Sequence, residues 1–180
     1  EDESDFLADI AAERYIQICH QKGLVPTPNA LEMARQRCLA SKNGEVCTNA
    51  DFVAFVAMIP LLDRLDSVNL SGCHGVQLDQ QVLMSLLEKM QRQPVATSLR
   101  ELNLSGCLSG RDSLIAVMGL LQSKHGPRGL LQLDLAGIAV PSQFVQDLAE
   151  AIGAHPNLKH VSIANTHLGL DQNSPKAILQ

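Results

Sequence analysis

Four short segments of this chain carry one apolar template. In each, apolar residues fall at relative positions 1, 4 and 6: Leu65, Val68 and Leu70; Leu99, Leu102 and Leu104; Leu130, Leu133 and Leu135; Leu158, Val161 and Ile163. The segments start 34, 31 and 28 residues apart, and the first two both contain the run Asn-Leu-Ser-Gly-Cys. A recurrence at this spacing is the mark of a repeat architecture, and it constrains the fold more than any local propensity. Positions 4 and 6 flank a polar position 5, the two-residue period of a strand with one buried side. Strands are expected near 67–71, 101–105, 132–136 and 160–164.

Between these strands the period lengthens. Leu78, Val82, Leu83, Leu86, Leu87 and Met90 recur at helical spacing, as do Leu114, Val117, Met118 and Leu121, and Phe144, Val145, Leu148 and Ile152. Each stripe gives a helix one apolar face. Asp79, Asp112 and Ser142 stand near the helix starts as capping candidates. Prolines at Pro94, Pro127 and Pro156 follow the helices, where the hydrogen-bond ladder has to stop. One strand and one helix cannot bury their apolar sides alone, but neighbouring units stacked in register can. Strands sit about 4.8 Å apart and helices 8–10 Å apart, so such a stack curves into an open arc.

The pattern resembles the leucine-rich repeat, and its period of 28 residues or more is similar to the ribonuclease-inhibitor-type subfamily. The family template continues to Asn or Cys at position 9. Cys73 and Cys107 match it, while Ile138 and Thr166 depart from it, which implies an incomplete side-chain ladder along the inner turn. The resemblance covers about residues 62–170. It implies an α/β fold, a right-handed solenoid with short parallel strands on the concave side and helices on the convex side. Residues 61–180 would hold the repeats and residues 1–60 a helical N-terminal cap, part of which has a degenerate first repeat as its alternative reading.

That cap reads as three helices. The first runs from Asp5 to His20, with Ser4 as its cap candidate and Gly23 as its stop. Pro28 to Leu39 gives the second, bearing Leu31, Ala34 and Cys38. The third spans Phe52 to Ile59, with Asn49 or Asp51 as cap. Leu39 lies 31 residues before Leu70, close to the repeat period, so a short strand at Cys38 to Ala40 is an alternative for that stretch. At the other end, the residues after Leu168 and Leu170 are too few for a full repeat. Two expectations follow: more repeats or a cap beyond Gln180, or pairing of this edge with a second copy. Because the chain begins at Glu1, it is expected to be a fragment or a processed form.

Composition excludes several functions. Hydrophobic residues make up 46%, charged residues 18%, and the formal net charge is -5. An acidic chain is a poor general binder of phosphate backbones. With no Trp, one Tyr and four Phe, it has few rings for base stacking. No apolar run approaches the roughly 20 residues of a membrane helix. The partners expected are proteins, with no nucleic acid and no membrane. Five cysteines (Cys19, Cys38, Cys47, Cys73 and Cys107) include no Cys-x-x-Cys pair, and read as thiols in a reducing cytoplasm. Cys19-His20 and Cys73-His74 are adjacent pairs, a poor spacing for zinc. Phosphate-binding, dinucleotide-binding, nucleophile-elbow and His-Glu-x-x-His motifs are all absent. Neither a cofactor, a metal nor a catalytic residue is expected, and the chain reads as a non-enzyme.

In the architecture the resemblance implies, outward strand positions 3, 5 and 7 stack as rows on the concave face. They give Ser67, Glu101, Gln132 and His160; Asn69, Asn103, Asp134 and Ser162; and Ser71 and Ser105, with Ala136 and Ala164. These polar residues are the candidate partner-binding surface. A second candidate is the rim holding Cys73-His74-Gly75, Leu108 to Arg111 and Thr166-His167. The opposite rim, with Gln91 to Gln93, Ser123 to His125 and Arg128, is locally basic. Ser162 with His160 lacks an orienting acid, and Glu101 with Asp134 reads as solvated surface. The leading expectation is a protein-interaction scaffold. Alternatives by fold analogy are a cytoskeletal or flagellar assembly protein, as in tropomodulin, and a regulator of a small GTPase.

Overall fold

The computed structural model describes residues 3–36, 38–40, 49–62, 64–71, 80–92, 94–108 and 110–165. They form a mixed α/β structure around one small parallel sheet. In chain order come α1 (Glu3–Lys22), α2 (Pro28–Gln36), β1 (Cys38–Ala40), α3 (Asn49–Met58), β2 (Ser67–Asn69), α4 (Gln80–Lys89), α5 (Val95–Ser98), β3 (Glu101–Asn103), α6 (Gly110–Gln122), β4 (Gln132–Asp134), α7 (Ser142–Gly153) and β5 (His160–Ser162).

The sheet keeps chain order, β1-β2-β3-β4-β5, with every neighbouring pair parallel and no closure into a barrel. Register aligns the template. Val68 faces Leu102, Leu102 faces Leu133, and Leu133 faces Val161. The strands begin where the periodicity places them and are shorter than it suggests. Backbone bonding nevertheless continues past them. Leu70 N–H donates to Asn103 O, Leu104 N–H to Asp134 O, and Leu135 N–H to Ser162 O, at 2.8–2.9 Å. One carbonyl per rung is shared twice: Asp66 O accepts from Arg100 and Glu101, Arg100 O from Leu131 and Gln132, and Leu131 O from Lys159 and His160.

The same template position turns the chain after β3, β4 and β5. Position 8 has positive φ at Gly106 (67°), Gly137 (73°) and Asn165 (54°). That conformation costs most residues about 1–2 kcal/mol; Gly adopts it freely and Asn more easily than the rest. It lets the chain leave the sheet for its helix.

The core lies between sheet and helices. Leu65, Leu99 and Leu130 at position 1, Val68, Leu102 and Leu133 at position 4, and Leu70, Leu104 and Leu135 at position 6 are all buried. Each such side chain contributes about 1.5–3 kcal/mol over an exposed one. Leu83, Leu86 and Leu87 of α4, Leu114, Val117 and Leu121 of α6, and Phe144 and Leu148 of α7 close the other side. The helices pack in succession, α3 on α4, α4 on α6, α6 on α7.

The fourth rung departs from expectation. Val161 is 37% and Ile163 41% exposed, although Val161 holds the register of the buried Leu133. β5 is the edge of the sheet, and no described element lies beyond it to complete the sandwich that covers the inner rungs.

Helix boundaries correct several other expectations. Ser4 lies inside α1, Asn49 and Asp51 lie inside α3, and Asp112 lies inside α6. Asp112 there sits in the first turn, where a negative charge favours the helix dipole. Pro141, not Ser142, occupies the cap position of α7, with no side-chain cap bond. Cys38 belongs to β1 rather than α2, because Ser67–Asn69 offers residues 38–40 strand partners that another helical turn would forfeit. Pro94 stops no helix for good: the short α5 follows it directly. Gly23 does end α1, with φ of 66° and Leu24 N–H bonding back to Cys19 O at 2.8 Å. α1 rests on α2 and α3 through Ala11, Tyr15, Ile18 and Cys19. Leu78, Asp79, the Cys73 position and everything from Thr166 onward lie outside the described residues.

Candidate functional site

The strands' alternation builds the site. With position 4 turned into the core, positions 3 and 5 must face the other way. On that face lies a shallow cavity of about 210 Å³, lined by Ser67, Asn69, Glu101, Asn103, Gln132, Asp134, His160 and Ser162, with Val68, Leu102 and Leu133 contributing backbone and edge. Eight of the ten residues expected to bind a partner therefore meet in one depression. Ser71 and Ser105 do not line it; they sit in the turns after β2 and β3.

Position 5 does more than face outward. Asn69 Oδ1 accepts from Ser71 N–H at 3.0 Å and from the Ser71 hydroxyl at 2.7 Å. Asn103 Oδ1 accepts from Ser105 N–H at 2.9 Å, and Asp134 Oδ1 from Ala136 N–H at 2.9 Å. These are side-chain-closed turns, the structure Asn and Asp favour two residues before a free amide. One oxygen of each is thus committed to the fold. The Asn/Asp-x-Ser/Ala-Gly spacing carried that signal in the sequence. At position 3, Glu101, Gln132 and His160 are exposed. They leave the cavity acidic at Glu101 and Asp134 and rich in hydrogen-bonding groups.

Position 9 works within the sheet. The Cys107 thiol donates to Leu70 O of the preceding unit at 2.9 Å. Ile138, at the same position one unit on, is buried at 2% and contributes packing instead of a thiol bond. Position 9 thus bonds to the neighbouring strand at Cys107 and packs at Ile138.

The two rims fare differently. On the first, Arg111 stacks over the Phe144 ring at 5.3 Å; Cys73-His74-Gly75, Ser109 and Thr166-His167 lie outside the described residues. On the basic rim, Arg92 pairs with Glu88 at 3.0 Å, which offsets part of its charge, and Gln93 lies outside the description. Arg128 O accepts from Asn157 Nδ2 at 2.7 Å.

Behind that rim is a histidine the sequence reading passed over. His155 is 7% exposed, and its Nε2 lies 3.1 Å from Pro127 O. As a neutral ring it donates there, and its Nδ1 meets no partner among the described residues. Burial holds its pKa below the ordinary histidine value, the Pro127 bond opposes that, and the charge of Arg128 adds to it.

Among the described residues no three His, Cys, Asp or Glu gather as a metal site. No described helix is long and apolar enough to cross a membrane. No family model matches the chain, and neither a curated protein nor a solved structure does.

Proposed function

We propose that the chain is a right-handed stack of ribonuclease-inhibitor-type leucine-rich repeats, residues 61–180, behind a helical cap formed by residues 1–60. Its role is to bind another protein through the open sheet face, without catalysis, in the reducing cytoplasm. The observation that carries this reading is the register of β2 to β5, which gathers Glu101, Asn103, Gln132, Asp134 and His160 into one polar depression on a rigid frame. Rigid elements hold contact groups with little ordering cost on binding. Cys19 and Cys107 form no disulfide among the described residues.

The turn-closing bonds decide which substitutions test it. Changing Asn69, Asn103 or Asp134 would disturb the fold as well as the surface. Glu101→Arg with Gln132→Arg alters only exposed side chains. Proteins cross-linked to the wild-type chain and to this double variant in cells would be compared, with melting curves as the folding control. Loss of a defined partner at unchanged melting temperature is expected. Capture of the same partners by both forms would sink the assignment to this face.

A second reading, assembly through an end as in cytoskeletal proteins, draws support from the exposed Val161 and Ile163 on β5. Sedimentation of the purified chain separates the two. A 19.4 kDa monomer at high concentration argues against self-assembly.

A further inference from the structure

Another depression lies on the helical side, away from the sheet face. A furrow of about 360 Å³ runs between α3 and α4. Val53, Ala57 and Val82 form its half-buried floor, and Val56 closes the bottom. Lys22, the last residue of α1, and Lys89, the last of α4, both line it. On α4 the lining runs from Gln81 through Ser85 to Lys89, about 12 Å at 1.5 Å per residue. Neither lysine has an ion-pair partner among the described residues.

The sign of this furrow is opposite to its surroundings. The chain carries a net charge of -5. The next furrow, on the other flank of α4, is lined by Glu88 and Asp112. Asp147 and Glu150 are exposed on α7. A flat anionic surface laid on these helices would meet those carboxylates, whereas a slender partner confined to the furrow would meet the two lysines. The length suits about two turns of helix, and an apolar floor between two packed helices is the setting for an amphipathic helix laid in a groove.

We propose that the α3–α4 furrow docks an acidic amphipathic helix of a partner protein, its apolar stripe on Val53, Ala57 and Val82 and its carboxylates on Lys22 and Lys89. This surface is separate from the sheet face and stands or falls independently of it.

The test is fluorescence anisotropy with the whole chain and a labelled synthetic helix of about 16 residues, leucines on one stripe and glutamates on the flanks. An otherwise identical peptide with lysine for glutamate is the control. Expected is saturable, salt-sensitive binding of the acidic peptide, weakened about tenfold or more by K22E with K89E, where attraction becomes repulsion. The neutral pair K22Q and K89Q should weaken it less, and Val82→Asp should weaken it through the floor. Lys124→Glu, on the far rim, should leave it unchanged. No saturable binding, equal binding of the lysine peptide, or indifference to K22E with K89E would each overturn the proposal. So would tighter, lysine-dependent capture of the chain by phosphatidylserine vesicles, which would make the ligand a membrane.

Discussion

His155 shows how one side chain ties stability to pH. Its neutral ring is accommodated, with Nε2 on Pro127 O and Nδ1 facing no partner. Burial disfavours the charged ring, and protonation would also place an N–H donor at that unpartnered atom, so the pKa lies below the ordinary value. The unfolded chain takes up the proton at about pH 6.5. Stability is therefore complete above that value and is lost as pH falls toward the lowered folded pKa, because the unfolded state then binds more protons. The melting temperature should drop as pH is taken from about 7.5 to about 5, and His155→Gln should flatten the drop. Gln keeps a donor for Pro127 O and has no proton to gain. Because the two proteins differ only at residue 155, the difference between the two slopes isolates His155. Parallel slopes would show that the buried ring is indifferent to its charge.

At the level of elements, the strands were legible and the helix ends were not. A strand needs its apolar side covered, so the pattern of Val68, Leu70, Leu102 and Leu104 fixes both its position and its face. Helix starts depend on a single dihedral choice that several polar residues can satisfy. Ser4, Asn49, Asp51 and Asp112 are all plausible caps by residue type, yet Asn49 is the first residue of its helix and the other three lie one or two residues further in. The edge of the sheet is the other blind spot. Periodicity makes Ile163 the equal of Leu104, but burial depends on a neighbour that periodicity cannot see. The two positions should therefore differ in energy. Leu104→Ala should destabilise by about 2–5 kcal/mol, the usual range for a buried leucine. Ile163→Ala, starting from 41% exposure, should cost under about 1 kcal/mol. Urea denaturation measures both. A large loss at Ile163 would mean that something covers β5 in solution.

For the whole molecule, the order of the sheet and the face bearing Glu101, Gln132 and His160 followed from the repeat, because stacking in register leaves them nowhere else to go. The turn-closing role of Asn69, Asn103 and Asp134 and the furrow at Lys22 and Lys89 did not. The first is a short-range bond hidden in residues also suited to binding, and the second joins side chains of α1, α3 and α4, far apart in the chain. Energy should be distributed in the same local way. Each rung touches the next, and rungs two apart are separated by about 9.6 Å, twice the strand spacing. Leu70 and Leu104 belong to adjacent rungs, Leu70 and Leu135 to rungs one removed. Double-mutant cycles with alanine at these positions should show a coupling above about 0.5 kcal/mol for the first pair and additivity within that margin for the second. That contrast is the signature of nearest-neighbour stacking. Equal coupling in both pairs would instead describe a core that responds as one body, and the stacked-repeat reading would lose its energetic basis.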